Sequence, residues 1–259
     1  MELLQLSIFS FFAGFIDSIV GGGGLIQLPA LFIFLPPSLA SNIPAVLGTN
    51  KLSSICGTSA ALWQYSRRLA LDWKIMLPAA VVALCFSIMG AKTVGNLNPA
   101  VMRPMVIFLL LAVLIYTGMS GHLKGWRLNL SPGWVMPALL AGGAMIGFYD
   151  GFFGPGTGSF LIFGLVAFCG YEFLKGSANA KIINLATNLG AIIWFSSHDA
   201  VYWREGFVMG IFNVLGAVAG SRLAIIKGNE LVRKFVIAVV LLLLARMSYE
   251  FWMSQKTIP

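Results

Sequence analysis

The chain carries the same motif twice. Gly14, Phe15, Asp17, Gly21 and Gly23 return at one constant shift as Gly147, Phe148, Asp150, Gly154 and Gly156, so GFxDxxxGxG stands in both halves. At a shift three residues shorter, Lys51 falls on Lys181, Ala61 on Ala191, Gly90 on Gly220, Arg103 on Arg233 and Val106 on Val236. Internal duplication of this kind marks folds assembled from two related halves.

Each half also repeats one order of five apolar segments. A long first segment (Leu3 to Val20; Trp134 to Phe153) runs into a glycine cluster. A second (Leu25 to Leu35; Phe160 to Gly170) follows that is only about 11 residues long, ~16 Å as helix and half a hydrocarbon core. Three more follow: Ile43 to Tyr65, Met76 to Val94 and Val106 to Met119 in the first half, then Ala178 to Ser196, Phe207 to Ile226 and Phe235 to Trp252 in the second. Only 10% of the residues are charged and the mean hydropathy is +0.88, too little ionic surface for one soluble domain of this size. The main solvent is therefore a lipid bilayer, and the expected fold is an all-α polytopic membrane protein with glycine-broken first and second segments. Residues 1–119 form the first membrane repeat, 120–133 the linker and 134–259 the second repeat.

The net charge of +8 comes from scattered Lys and Arg between apolar runs, which suits membrane orientation and not nucleic acid. The N-terminal stretch has no basic residue before its apolar run and carries Asp17 inside it, so it reads as a retained span and not a cleaved signal. With the N-terminus outside and the first two segments forming an in-and-back pair, Arg67, Arg68, Lys74, Lys124, Arg127, Lys175, Arg222, Lys227, Arg233 and Lys234 all face the cytoplasm. The basic loop precedes the fourth segment in the first half and follows it in the second, so the halves are read as inverted repeats. Four crossings per half with parallel repeats is the alternative, and it loses that asymmetry.

Cys56, Cys85 and Cys169 lie in apolar runs without metal-like spacing, and His122 and His198 fall near loops. No metal, no other cofactor and no catalytic residue is called for, and an enzyme is not expected. The tryptophans sit mostly near segment ends, as interfacial anchors.

What remains is polar chemistry inside apolar segments. Gly21, Gly22, Gly23 and Gly24 break the helix and free backbone N–H groups that lipid cannot satisfy, so this backbone lines a protein cavity. The short helix beginning there offers an anion site at its positive end. Gly154, Gly156, Thr157, Gly158 and Ser159 repeat the arrangement with added hydroxyl donors, and Gln27 offers a further amide. Close helix packing is the competing reading of the glycines, as it is for Gln27. Lys51 has Thr49, Asn50, Ser54 and Thr58 around it; Lys181 has Asn179, Asn184, Thr187 and Asn188. Lys51, Ser54 and Thr58 share one helical face, as do Lys181, Asn184 and Asn188, giving a polar stripe that marks a substrate path. The alternative is that each lysine snorkels to the interface or neutralises an aspartate. Asp17 and Asp150 have three candidate roles, ranked here as pairing with the lysines, then proton coupling, then accepting from freed N–H groups.

The stretches GFIDSIVGGGGLIQLPAL, GTNKLSS, GFYDGFFGPGTGSFL and NAKIINLATNLGA resemble the sulfite exporter TauE/SafE family, also called the 4-toluene sulfonate uptake permease family. The likeness spans nearly the whole chain and is most specific in the glycine motifs and the TNK and NAK stretches. It implies a multi-pass plasma-membrane transporter of sulfur-containing anions, sulfite or small organosulfonates, coupled to a proton or ion gradient. A carrier of another small anion such as a carboxylate is the runner-up. The expected partners are a small anionic substrate and the lipid bilayer.

Overall fold

The structure, a computed structural model, describes residues 1–95, 108 and 130–227. The fifth segment of each half, Phe108 apart, and linker residues 120–129 lie outside the described residues. The described chain is helical, in the order α1 (Glu2–Val20), α2 (Gly24–Phe34), α3 (Pro37–Ala40), α4 (Ile43–Ser66), α5 (Trp73–Gly95), α6 (Pro132–Phe152), α7 (Thr157–Cys169), α8 (Phe173–Ser197) and α9 (Trp203–Lys227). Four of these, α1, α5, α6 and α9, are long and apolar enough to cross a membrane. With the family assignment below, this makes the chain a multi-pass membrane protein. Helices α4 and α8 are as long but carry the polar stripes, and they lie in the protein interior with Lys51, Thr49, Asn179 and Lys181 buried.

Local chemistry sets the boundaries. Helix α1 stops where Gly21 adopts φ 76° and returns its N–H to the Asp17 carbonyl, a left-handed cap that costs a glycine nothing. Helix α4 starts at Asn42, whose side chain accepts from the Ala45 N–H at 3.3 Å. Two details depart from the hydropathy reading. Helix α8 begins at Phe173, five residues before the apolar run, and Pro36–Pro37 initiate the short α3.

Helix packing rests on small residues meeting backbone. Gly143, Gly147 and Gly151 of α6 lie against Ala79, Ala83 and Ser87 of α5, each at a spacing of four. Gly216 and Gly220 of α9 meet Phe11 and Phe15 of α1 in the same way. Both sets of contacts rise together along the chain, so α5 runs with α6 and α1 runs with α9. By the same test α4 runs with α9, because Leu52, Cys56 and Gly57 meet Gly206, Gly210 and Asn213. Helix α5 runs with α8, because Asp72, Leu84 and Gly95 meet Asn179, Gly190 and Trp194. The contacts recur with the halves exchanged. Gly14 meets the Asn213 carbonyl and Gly147 the Ala83 carbonyl, while Gly220 meets that of Phe15 and Gly90 that of Phe148.

This packing predicts a contrast between two glycines of one helix. A Cβ at Gly151 would overlap the Ser87 carbonyl, whereas one at Gly142 meets nothing within 4 Å. Gly151→Val is expected to destabilise by about 1–3 kcal/mol, and Gly142→Ala to be neutral or to stabilise by up to about 1 kcal/mol, read as thermal unfolding in detergent.

Candidate functional site

The two helix breaks cross each other. Gly21 and Gly158 touch backbone to backbone so closely that a side chain on either would overlap the other. The Ser159 N–H donates to the Gly21 carbonyl at 3.1 Å. An α-helix leaves its last four carbonyls unsatisfied, and for α1 each of them meets a side chain. Asp17 O accepts from Lys181, Ser18 O from Tyr65 at 2.7 Å, Ile19 O from Ser177 at 3.0 Å and Val20 O from Ser159 at 2.7 Å. Three of those four donors belong to the other half.

Charge is exchanged between the halves in the same manner. Lys51 of α4 lies 2.7 Å from Asp150 of α6, and Lys181 of α8 lies 2.7 Å from Asp17 of α1. The Lys51–Asp150 side chains are 2% and 3% exposed; in the other pair Lys181 is 1% exposed but Asp17 is 19% exposed. A buried ion of this kind is tolerated only with its counter-ion, and removing one partner typically costs about 3–5 kcal/mol.

Beside the crossing lies a small cavity of about 20 Å³. Asp17, Gly21 and Gly24 border it from the first break, and Asp150, Gly154, Gly156, Thr157 and Gly158 from the second. Helices α4 and α8 supply Asn50, Lys51, Ser54 and Thr58, and Asn184 and Asn188. Gly24 is the first residue of α2 and Thr157 the first of α7, so two helix N-termini open on one space. Three buried polar atoms on this wall have no hydrogen-bond partner among the described residues: Asp150 Oδ2, Asn50 Oδ1 and Thr58 Oγ1.

Other residues expected at the site lie behind its wall or bond to neighbouring helices. Gly22, Gly23, Gln27, Thr49, Ser159 and Lys181 do not border the cavity. The Gln27 amide donates to Ser10 and Ser53 and accepts from Asn213 at 3.1 Å. Thr49 gives its hydroxyl proton to the Ala45 carbonyl at 2.6 Å and accepts from the Tyr202 N–H at 2.8 Å. Thr157 and Ser159 direct their hydroxyl protons to the Gly154 and Val20 carbonyls, both at 2.7 Å. Sequence reasoning missed Asn213, the buried amide under Gly14 and Gly57. A lone Asn among the apolar residues of α9 was its only signal.

A family model described as Sulfite exporter TauE/SafE matches residues 6–247. The chain belongs to that family. It is 37% identical over 247 residues to a probable membrane transporter protein, ORF9, of Sinorhizobium sp, covering 95% of this chain and 92% of the relative. It is 33% identical over 241 residues to a probable membrane transporter protein of Haemophilus influenzae, covering 93% and 92%. It is 36% identical over 242 residues to the probable membrane transporter protein YfcA of Escherichia coli K12, covering 92% and 86%. No solved structure matches.

In this TauE/SafE chain the loops flanking the long helices tie the halves together at two further places. The Asp72 N–H donates to Asn179 Oδ1 at 2.9 Å, and the Tyr202 N–H does the same to Thr49, the repeat equivalents of one another. The first latch adds charge. Asp72 Oδ2 accepts from Tyr171 Oη at 2.6 Å and lies 2.9 Å from Lys175 Nζ. The second is neutral, with Tyr202 Oη donating to the Leu39 carbonyl at 2.9 Å.

Burial opposes ionisation of Asp72, but the Tyr171 hydroxyl and the Lys175 ammonium outweigh it and hold the carboxyl below its usual range. A carboxylate depressed in the folded state contributes stability that is full above the unfolded value of about 4 and is lost as pH falls through the folded one. Asp72→Asn is therefore expected to lower thermal stability at pH 7 by about 1 kcal/mol or less. Its deficit relative to the unsubstituted protein should shrink as the pH falls below about 4, read as melting temperature against pH.

Proposed function

We propose that this chain is a secondary transporter of small sulfur-containing anions, sulfite or organosulfonates. It works by alternating access to a midplane site at the crossing of the two broken helices, and an ion or proton gradient drives it. The observation that carries this reading is the single cavity in which the N-termini of α2 and α7, Lys51 and two asparagine-bearing helices converge. A sulfite or sulfonate presents three oxygens, which suit convergent backbone, amide and hydroxyl donors beside an ammonium. The family description names sulfite export, and the relatives are named as membrane transporters.

Opposite orientation of the halves is part of the proposal. What supports it is the direction of packing: α1, α4 and α9 run one way while α5, α6 and α8 run the other, so among the described helices α6, α8 and α9 oppose their repeat partners α1, α4 and α5. Alternating access follows when one such half rocks against the other about a fixed site. Single-cysteine labelling in a background lacking the three native cysteines checks the topology. Arg68→Cys is expected to stay unlabelled by an impermeant reagent outside, and Asp199→Cys to be labelled.

Proteoliposome flux of labelled sulfite and methanesulfonate, against labelled acetate, tests the substrate class. Preferential acetate flux would replace the sulfur-anion reading with a carboxylate one. Lys51→Ala leaves Asp150 without its counter-ion and is expected to reduce folded protein, and in the fraction that folds to weaken apparent affinity by about tenfold to a hundredfold, the range for losing one hydrogen bond to a charged ligand. Lys181→Ala, which leaves Asp17 without its counter-ion away from the cavity wall, is expected to reduce folded protein first.

A further inference from the structure

The two ion pairs occupy equivalent places in the repeat, yet they are built differently. Lys181 holds both the carboxylate and the main-chain carbonyl of Asp17 and stays off the cavity wall. The neighbouring carbonyls of α1 are fixed by Tyr65, Ser177 and Ser159, which makes this pair a strut. Lys51, by contrast, borders the cavity and has Asp150 as its one ionic partner among the described residues. Asp150 also borders the cavity, with Oδ1 facing Lys51 and Oδ2 buried without a partner.

Charge balance then dictates what an incoming anion must do. Lys51 and Asp150 together are neutral. An anion that takes the Lys51 ammonium leaves a carboxylate and a second negative charge in one buried space, and both desolvation and like-charge repulsion oppose this. One added proton restores neutrality. Resting on the anion-transport reading above, we propose that Asp150 takes up one proton when substrate displaces it from Lys51, and that this exchange couples transport to the proton gradient. The Lys51 N–H···O hydrogen bond passes from Asp150 Oδ1 to an anion oxygen, the ion pair opens, and a proton from the aqueous side bonds to the Asp150 carboxylate.

The surroundings leave this role to Asp150. From α4 it faces Lys51. Tyr149, beside it on α6, gives its hydroxyl to the Pro155 carbonyl at 2.6 Å. Asp17 borders the same cavity from α1, already held by Lys181 from α8. Helix α5 approaches α6 here through Ala83, Ser87 and Gly90, none of them ionisable, and α7 adds Thr157 and Gly158. A metal cation fits less well. The unpartnered oxygens of Asn50 and Thr58 stand eight residues apart on α4, about 12 Å along its axis, whereas a proton needs one oxygen.

The test uses the full-length protein in vesicles carrying a pH dye, with labelled methanesulfonate and sulfite as probes and protein-free vesicles as baseline. Methanesulfonate does not titrate, so acidification of the lumen during its influx reports the accompanying proton. Influx into wild-type vesicles is expected to acidify the lumen, and an inward proton gradient to raise accumulation about tenfold, within the usual range of coupling between two ligands. Asp150→Asn protein that folds is expected to lose acidification and accumulation, its remaining anion exchange no longer responding to the imposed proton gradient, and Asp17→Asn protein that folds should retain both. Coupled uptake by Asp150→Asn, wild-type influx without proton movement, or accumulation that follows sodium overturns the proposal. Should Asp150→Asn fail to fold, proton movement in the wild type and in Asp150→Glu, which still titrates, decides it. Flux of neither probe overturns the anion-transport reading and this inference together, whereas flux without protons overturns this inference alone.

Discussion

Two buried ion pairs, each joining a lysine of one half to an aspartate of the other, set the terms for the rest of the structure. Neither half is electrically complete alone. Lys51 has no carboxylate partner within residues 1–95, and Lys181 has none within 130–227. In an apolar solvent an uncompensated ion is among the most costly features a fold can hold, so the halves must approach until α4 reaches α6 and α8 reaches α1. That approach is possible because glycines stand at the closest backbone contacts, against Ala79, Ala83 and Ser87 between α5 and α6 and against Phe11, Phe15 and Asn213 between α1 and α9. A chain with larger residues at Gly14, Gly147 or Gly151 would hold the charges apart.

The glycine breaks answer to the same requirement. Ending α1 at Gly21 and starting α7 at Thr157 exposes carbonyls and amides among packed helices, where they need partners. The structure meets that demand by crossing the breaks, so that Ser159 bonds to Gly21 and Val20 while Tyr65 and Ser177 reach the carbonyls before them. The cavity is what the crossing leaves beside it. Its wall combines helix N-termini with unpartnered side-chain oxygens, a composition that suits a charged visitor more than close packing.

Much of this was legible in the sequence, for identifiable reasons. The apolar segments are readable because a helix in lipid must satisfy its own backbone, and the broken segments because glycine clusters interrupt otherwise unbroken apolar runs. Asp17, Asp150, Lys51 and Lys181 stand out because ionisable groups inside spans are rare. Their partnership across halves is not readable, since Lys51 is equally compatible with Asp17 until the helices are packed. The roles of Gln27, Thr49 and Ser159 were hidden for a related reason. A polar side chain facing a cavity and one bonded to a neighbouring helix look alike in a single sequence, and only the position of Asn213 or Tyr202 separates them. The stripe on α8 divides in the same way, with Asn184 and Asn188 on the wall and Lys181 behind it.

The two latches that share a backbone bond differ in everything else. At Asp72 the halves are joined by a carboxylate, an ammonium and a phenol, with the Lys175 side chain 42% exposed. At Tyr202 they are joined by neutral groups. Mobile ions screen the first arrangement over a distance of about 8 Å at physiological strength and leave the second untouched. Added salt therefore weakens the latch at Asp72 and leaves the one at Tyr202 as it was, so the two joints between the halves respond differently to the same solution.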